Sequence, residues 1–282
     1  MPTLTVIGSV NLDLVVRLPR LPAPGETITT GEFSRHPGGK GANQALAARR
    51  LGAEVNLVAA VGEDDMSEAA LALLRQEGVV LDRCWAYENI PTGVALIMVE
   101  EGGENMIGVA PGANAYLSPD SLDLGQDESI VCQLEVPIET VVRAAAATSG
   151  FFCLNAAPAR PVPTEVWQRA DVVVVNETER DYYTTALDDC PGLVVVTMGR
   201  AGAVALLNGR LLADATPPPV VAVDTVGAGD AFVAALAVSL LDDMTVGHSL
   251  ERACAAGALA TIRAGAQTSL PTAAEVDTIL IR

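Results

Sequence analysis

The sequence predicts an α/β fold: a mostly parallel sheet covered by helices on both faces, with a small accessory sheet beside it. Three observations carry this. Short, nearly continuous apolar runs alternate with helical patterns along most of the 282 residues, which is how strands buried on both faces read. The alternation is interrupted at residues 92–109, where two strands flank a charged turn as a hairpin. Half of the residues are hydrophobic but only 4% are aromatic, so the core must be built from Ala, Val and Leu. With no internal repeat or low-complexity linker, the expectation is one domain over residues 1–282.

Residues 4–10 read as an apolar strand that runs on into Asn11-Leu12-Asp13-Leu14-Val15-Val16. Strand period puts Asn11 and Asp13 on one side. Together they could bind two adjacent hydroxyls of a sugar, or they could be the solvent face of an edge strand. Residues 18–32 are rich in turn residues, with a short strand at Thr27-Ile28-Thr29-Thr30. Gly38-Gly39-Lys40-Gly41-Ala42-Asn43-Gln44 opens a helix over residues 45–51, with Lys40 and Asn43 at or near its first turn. A cation at a helix N-terminus opposes the dipole, which points to ligand duty. An exposed lysine is the alternative. A strand at 55–61 and a helix at 66–76 follow. The hairpin around Glu100-Glu101-Gly102-Gly103-Glu104 is expected to join the first segment as a lid, with strands from about 11–33 and 92–110. The βα pattern then resumes. Strands fall at 129–134, 151–155, 172–175 and 193–197, and helices at 138–147 and 164–170, with a short helix opened by Asn176-Glu177-Thr178-Glu179. A hairpin at 204–207 and 211–213 precedes helices at 231–241, 250–262 and 273–281.

In such a fold ligands sit beyond the C-terminal ends of the strands, and Glu135, Asn176, Glu179, Thr197 and Asp230 all read as following a strand. The most informative stretch is Val223-Asp224-Thr225-Val226-Gly227-Ala228-Gly229-Asp230-Ala231-Phe232. Its two glycines allow close backbone approach to a ligand, and the helix they open offers unpaired N–H groups to a phosphate or oxyanion. Asp230 could accept a proton from a substrate hydroxyl there, or it could be an N-cap beside a tight turn. The stretch lacks the third glycine of a dinucleotide fingerprint. Pro37-Gly38-Gly39-Lys40-Gly41 is no P-loop, because Ser34 stands where its first glycine should be and Gly41 where Ser or Thr should be.

Composition excludes other classes. With 17 Lys and Arg against 35 Asp and Glu, the net charge is −18 and no basic stripe is visible, which argues against nucleic acid and anionic membranes as partners. A nucleotide would have to be held by backbone N–H groups, a few Lys or Arg, and a metal ion. Cys84, Cys132, Cys153, Cys190 and Cys254 are scattered, as reduced core residues are, and His36 and His248 are too few for a histidine metal centre. No signal peptide or membrane-length apolar run is read, so the expected place is the cytoplasm.

Taken together, these residues resemble the ribokinase (PfkB) family of sugar kinases. The likeness runs from the first strand to Pro271. It rests on Asn11-Leu12-Asp13, Pro24-Gly25-Glu26-Thr27, Gly38-Gly39-Lys40-Gly41-Ala42-Asn43-Gln44-Ala45, Gly103-Glu104-Asn105, Asn176-Glu177-Thr178-Glu179, Asp224-Thr225 and, most specifically, Gly227-Ala228-Gly229-Asp230. The resemblance implies a three-layer α/β/α sandwich with a small β lid. It implies an ATP-dependent kinase acting on the 5-hydroxyl of D-ribose, with deoxyribose, another sugar or a nucleoside as alternative acceptors. The reading from a different class is a catalytically silent sugar-binding relative. Carried over by position, Asp230 is the base, and Gly227, Ala228 and Gly229 supply the anion hole. Asn11, Asp13, Gly39, Lys40, Asn43 and Glu135 match the sugar site, and Asn176, Thr197, Gly199, Gly202, Gly229 and Cys254 the ATP site. Glu179 matches the acid that holds Mg²⁺. Asp224, Val226, Ala260, Arg263, Gly265 and Ser269 match a loop that binds K⁺. The chain departs from the family at Cys254, where Asn or His is usual near the adenine, and in residues 181–191, which are shorter than usual. Apolar residues on both faces of the 92–99 strand point to a homodimer through the lid.

Overall fold

The computed structural model describes residues 1–102, 104–188 and 190–281. Gly103 of the Gly103-Glu104-Asn105 run and Asp189 of the shortened segment lie outside the described residues. The strands of the first half are β1 (Thr3–Ile7), β2 (Asn11–Leu18), β3 (Glu32–Gly38), β4 (Glu54–Gly62), β5 (Val80–Tyr87), β6 (Gly93–Glu100) and β7 (Asn105–Ala110). Those of the second are β8 (Ile130–Gln133), β9 (Phe152–Asn155), β10 (Val172–Asn176), β11 (Leu193–Thr197), β12 (Ala203–Leu207) and β13 (Arg210–Ala215). The helices are α1 (Lys40–Arg50), α2 (Asp65–Gln76), α3 (Ile138–Ala147), α4 (Thr164–Arg169), α5 (Glu177–Tyr183), α6 (Thr185–Asp188), α7 (Ala228–Leu241), α8 (Val246–Ala260), α9 (Ala266–Ser269) and α10 (Ala273–Leu280).

Nine strands form one sheet in the order β13-β12-β11-β10-β9-β8-β1-β4-β5. All its pairs are parallel except those that the hairpin of β12 and β13 makes. Runs such as Val172-Val173-Val174-Val175 are buried on both sides, as the sequence pattern requires. One face packs Leu46, Leu57, Phe232, Leu236 and Leu250 against the sheet, and the other packs Ile7, Phe152, Leu154, Trp167 and Val196. This is the expected three-layer sandwich. Because β1 lies between β4 and β8, the strand order reverses there, and the crevice beyond Ile7 and Gln133 is the topological switch point where such sheets bind ligands.

The remaining four strands make a separate small sheet, β3-β2-β6-β7. Its outer face carries rows of apolar side chains, Phe33-Val16-Met98-Met106 and Leu14-Leu96 among them, by the strand registers. Phe33, Leu96 and Met106 are more than half exposed.

Several expectations need correction. The strand at residues 4–10 does not run on: the chain leaves the large sheet after Ile7 and enters the small sheet at Asn11. Asn114 braces this crossing, its amide accepting from Val10 N at 2.9 Å and donating to Val10 O at 3.1 Å. No strand forms at Thr27–Thr30; β3 forms instead over a polar segment that has no apolar period, held by backbone pairing with β2 along one edge. The edge position also tolerates Pro37. Strand β5 went unread for the same reason: it is the last strand of the large sheet, and its residues are mostly exposed or half-buried. Helices α1, α7 and α8 begin three to five residues before their apolar patterns do. Asp230 does not follow a strand; a loop over residues 216–227 separates β13 from α7.

Candidate active site

The site is built where α1 and α7 meet the switch point. Gly39 caps α1 with φ 90°, a conformation that favours glycine. A Cβ there would lie 2.8 Å from Asn11 N and Ser9 O. Gly41 presses even closer, its Cβ position 2.5 Å from the carbonyl carbon of Gly8. Helix α1 therefore starts on top of the β1–β2 crossing, with Ala42 N donating to Ser9 O at 2.9 Å. It has no acid in its own first turn. Glu135, just beyond β8, takes that place: its carboxylate accepts from Lys40 N at 3.1 Å and from the Ser9 hydroxyl. This is the favourable end of the α1 dipole for an anion.

Helix α7 brings in Asp230. Its N-cap is Gly227, at φ 81°, and Asp230 sits in the first turn without capping it. The N-cap reading of Asp230 is thereby overturned. Its carboxylate instead accepts from Asn43 Nδ2 at 2.9 Å and from Gln44 Nε2 at 3.0 Å, both on α1, and is only 7% exposed. Burial raises the Asp230 pKa. The Lys40 ammonium and the two amide donors oppose that rise, and the Glu135 charge adds to it. Lys40 answers in kind: burial disfavours its charge, but the carboxylates of Asp230, Glu135 and Glu179 hold its pKa above the ordinary value. The cation that looked misplaced at a helix N-terminus is the counter-charge of three acids. Asn43 Oδ1 is buried and has no hydrogen-bond partner among the described residues.

A buried polar pair comes from β2. Asn11 and Asp13 share a face and are 4% and 8% exposed, so the solvent-facing alternative is overturned. Asn114 Nδ2 donates to Asn11 Oδ1 at 2.8 Å, which leaves the Asn11 amide N–H groups free to donate elsewhere. Burial, then the charges of Glu135 and Asp230, push the Asp13 carboxyl up to about 7. Between the small sheet and the body lies a cleft of about 640 Å³ lined by Asp13, Val15 and Ile97 on one side and Asp224, Val226 and Gly265 on the other.

A second cleft, about 510 Å³, runs away from the α7 N-terminus and is lined by Thr197, Gly199, Gly202, Pro218, Gly229 and Cys254. The two share Arg200, Ala222 and Thr225 as a common wall. A Cβ on Gly229 would meet nothing within 4 Å, so the N-terminal end of α7 is open to this cleft. Cys254 donates its thiol to Ala215 O at 3.6 Å, and burial pushes its pKa up to about 11, so it presents a neutral wall at physiological pH. Asn176 and Glu179 form a capping box on α5, with each side chain bonding the other's backbone N–H at 2.8 Å. Asn176 is thus committed to Glu179 through Oδ1 and does not line the cleft; its amide N–H groups remain available. Asp224 clips two loops together, accepting from Val226 N at 3.1 Å and Gly265 N at 2.9 Å. Arg263 points away to pair with Glu275 and Ser269 Oγ donates to Ala266 O, so of Arg263 only the backbone could serve a cation there.

A model of the pfkB family of carbohydrate kinases matches residues 1–273. The chain belongs to that family. It is 36% identical to the ribokinase of Bacillus subtilis, over 99% of this chain and all of that one. Among solved structures, the ribokinase of Thermotoga maritima superposes with a TM-score of 0.90 at 29% identity, covering the whole of both chains. That of Arabidopsis thaliana, complexed with ribose and ATP, superposes with a TM-score of 0.87 at 31% identity, over 99% of this chain and 98% of that one. The N-terminus of α7 lies where the two clefts meet: Ala228 and Gly229 line one of them, and Thr225 just before it lines both.

Sequence reasoning missed several residues that this pfkB site uses for support. Ser9 and Asn114 hold the β1–β2 crossing and Asn11, and Gln133 and Asn155 bond to Gln44 behind Asp230. A signal existed for the last two: each is a polar residue ending an otherwise apolar strand.

Proposed function

We propose that the chain is an ATP-dependent ribokinase that transfers the γ-phosphoryl group to the 5-hydroxyl of D-ribose. The carrying observation is a buried carboxylate, Asp230, oriented by two amide donors at a helix N-terminus between two clefts. In this reading Asn11, Asp13, Asn43, Gly39, Lys40 and Glu135 hold the sugar. The unpartnered Asn43 Oδ1 and the carboxylates of Asp13 and Glu135 accept from its hydroxyls, and Asn11 donates. Asp230 takes the proton of the attacking hydroxyl as the bond to phosphorus forms. The N–H groups of Gly227, Ala228 and Gly229, with Lys40, stabilise charge gathering on the phosphoryl oxygens.

The nucleotide fits the 510 Å³ cleft: Pro217, Pro218, Pro219 and Ala258 offer an apolar wall to a base, and Gly199 and Gly202 line it without side chains. Among the described residues no group of three or more His, Cys, Asp or Glu is placed to hold a metal ion alone. Magnesium is typically bound by one or two carboxylates together with substrate phosphates, and Glu179 is the carboxylate available. Bound there, Mg²⁺ would supply positive charge that offsets the negative charge of the phosphates. The Asp224 carboxylate and the backbone carbonyls near Val226, Ala260, Arg263, Gly265 and Ser269 are hard oxygen donors of the kind K⁺ takes.

The reading extends to a single cytoplasmic catalytic domain whose small sheet acts as a lid, with a second copy of the chain covering the outer lid face. Light scattering tests that pairing: a dimer that Leu96→Lys converts to monomer supports it, and a wild-type monomer refutes it. The function itself is tested by ADP release from MgATP with K⁺ present, comparing D-ribose, 2-deoxyribose, fructose and adenosine. Strong turnover with ribose alone is expected. Preference for another acceptor would keep the kinase and reject ribose. No turnover in a folded protein that binds sugar would reject the kinase.

A further inference from the structure

Behind Asp230 lies a chain of buried amides. Gln44 is 1% exposed, Gln133 0% and Asn155 8%. Asn155, the last residue of β9, donates Nδ2 to Val174 O at 3.3 Å. Its Oδ1 accepts from Gln44 Nε2 at 3.0 Å, and the same Nε2 donates to Asp230 Oδ1 at 3.0 Å. Gln44 Oε1 accepts from Gln133 Nε2, at the end of β8, at 2.6 Å. The direction of this chain is fixed at both ends. A backbone carbonyl can only accept, so Asn155 must turn its NH₂ to Val174 and its oxygen to Gln44. An ionised carboxylate can only accept, so Gln44 must turn its NH₂ to Asp230. Both Gln44 amide hydrogens are then spent, and the side chain has one orientation. The backbone leaves no slack either: a Cβ at Gly8 would lie 1.9 Å from Gln133 Oε1.

We propose that Gln44 is a positioning residue: locked by Gln133 and Asn155, it delivers a fixed N–H to Asp230 Oδ1, which orients the carboxylate toward the sugar hydroxyl. The proposal rests on Asp230 being the base. Burial favours the protonated form of this carboxylate, and hydrogen bonds to the charged form oppose that. The other charged groups around Asp230 are Lys40 of α1, Asp13 of β2 and Glu135 beyond β8, with Glu179 of α5 acting on Lys40. None is altered by changing Gln44.

The test uses Gln44→Met, which keeps the shape and removes the donors, and Asn155→Ser, which leaves Gln44 in place but frees its orientation. Asp230 titration is followed by carboxyl ¹³C NMR in aspartate-labelled protein, with Asp230→Asn to assign the signal and separate it from Asp13. In Gln44→Met the Asp230 pKa should rise by about one unit and kcat at pH 7 should fall about tenfold. KM for ribose and ATP should stay within about threefold, because Gln44 is buried and lines neither cleft. Asn155→Ser should show the same changes at smaller amplitude, and it carries the test if Gln44→Met does not fold. An unmoved Asp230 titration in folded variants, with only a lower melting temperature, would make Gln44 structural and overturn this proposal alone. A fully active Asp230→Asn protein would overturn the base assignment and this proposal with it.

Discussion

Replacing Asp13 by Asn should make the protein more stable while weakening it as an enzyme. Asp13 is buried beside Glu135 and Asp230, and its pKa rises from an ordinary 3.8 to about 7. In the unfolded chain the group loses its proton near the lower value; in the fold it keeps it to the higher one. Between the two, the fold holds a proton that the unfolded chain has released. The stabilisation that comes with that proton is fully present below the lower pKa and is lost as pH rises through the higher one. The difference is roughly a thousandfold in proton affinity, or about 4 kcal/mol at 1.36 kcal/mol per unit. Asn keeps the size and carries no ionisation penalty. At pH 8 the Asp13→Asn protein should therefore be more stable than wild type by ~2–4 kcal/mol, and by less than half of that at pH 5. Urea unfolding at pH 5, 6, 7 and 8, followed by the fluorescence of Trp85 and Trp167, measures the difference directly. A variant that is less stable at pH 8, or whose advantage does not change with pH, would refute the reasoning. Sugar affinity should fall in the same variant, the usual exchange of stability for a functional charge.

Two neighbouring glycines should behave differently. Gly229→Ala places its methyl in open space within the 510 Å³ cleft proposed for the nucleotide, so stability should hold or rise by up to ~1 kcal/mol while kcat falls about tenfold or more. Gly227→Ala meets φ 81° and the Ala266 backbone at 3.1 Å, and should lose ~1–2 kcal/mol in thermal unfolding. Exchanging K⁺ for Na⁺ or Li⁺ in a steady-state assay should lower activity through the Asp224 loop; equal rates in all three salts would remove the monovalent site.

The large sheet was legible because its parallel strands are buried on both faces and write long apolar runs, Val172 to Val175 most plainly. Edge strands write nothing comparable. β3 and β5 are stabilised by one-sided backbone pairing, so Ser34, Arg35 and His36, or Asp82 and Arg83, carry no strand period. At the site, the oddity of Lys40 in a helix's first turn was readable, because it violates the dipole, and its explanation was not. Its partners Glu135, Glu179 and Asp230 come from three other parts of the chain, and only the fold brings them together. The same holds for the Gln133–Gln44–Asn155 chain, whose members lie about a hundred residues apart. Asn11 and Asp13 were correctly placed on one face, but one strand cannot say whether that face meets solvent or a second layer.

The central claim is that Asp230 acts as base for a sugar hydroxyl, and Asp230→Asn tests it most directly. Calorimetric binding of D-ribose and MgADP should be nearly unchanged in the variant, while turnover with ribose and MgATP falls about a hundredfold or more. Turnover within a few-fold of wild type would contradict the account and move the search for the base to another group.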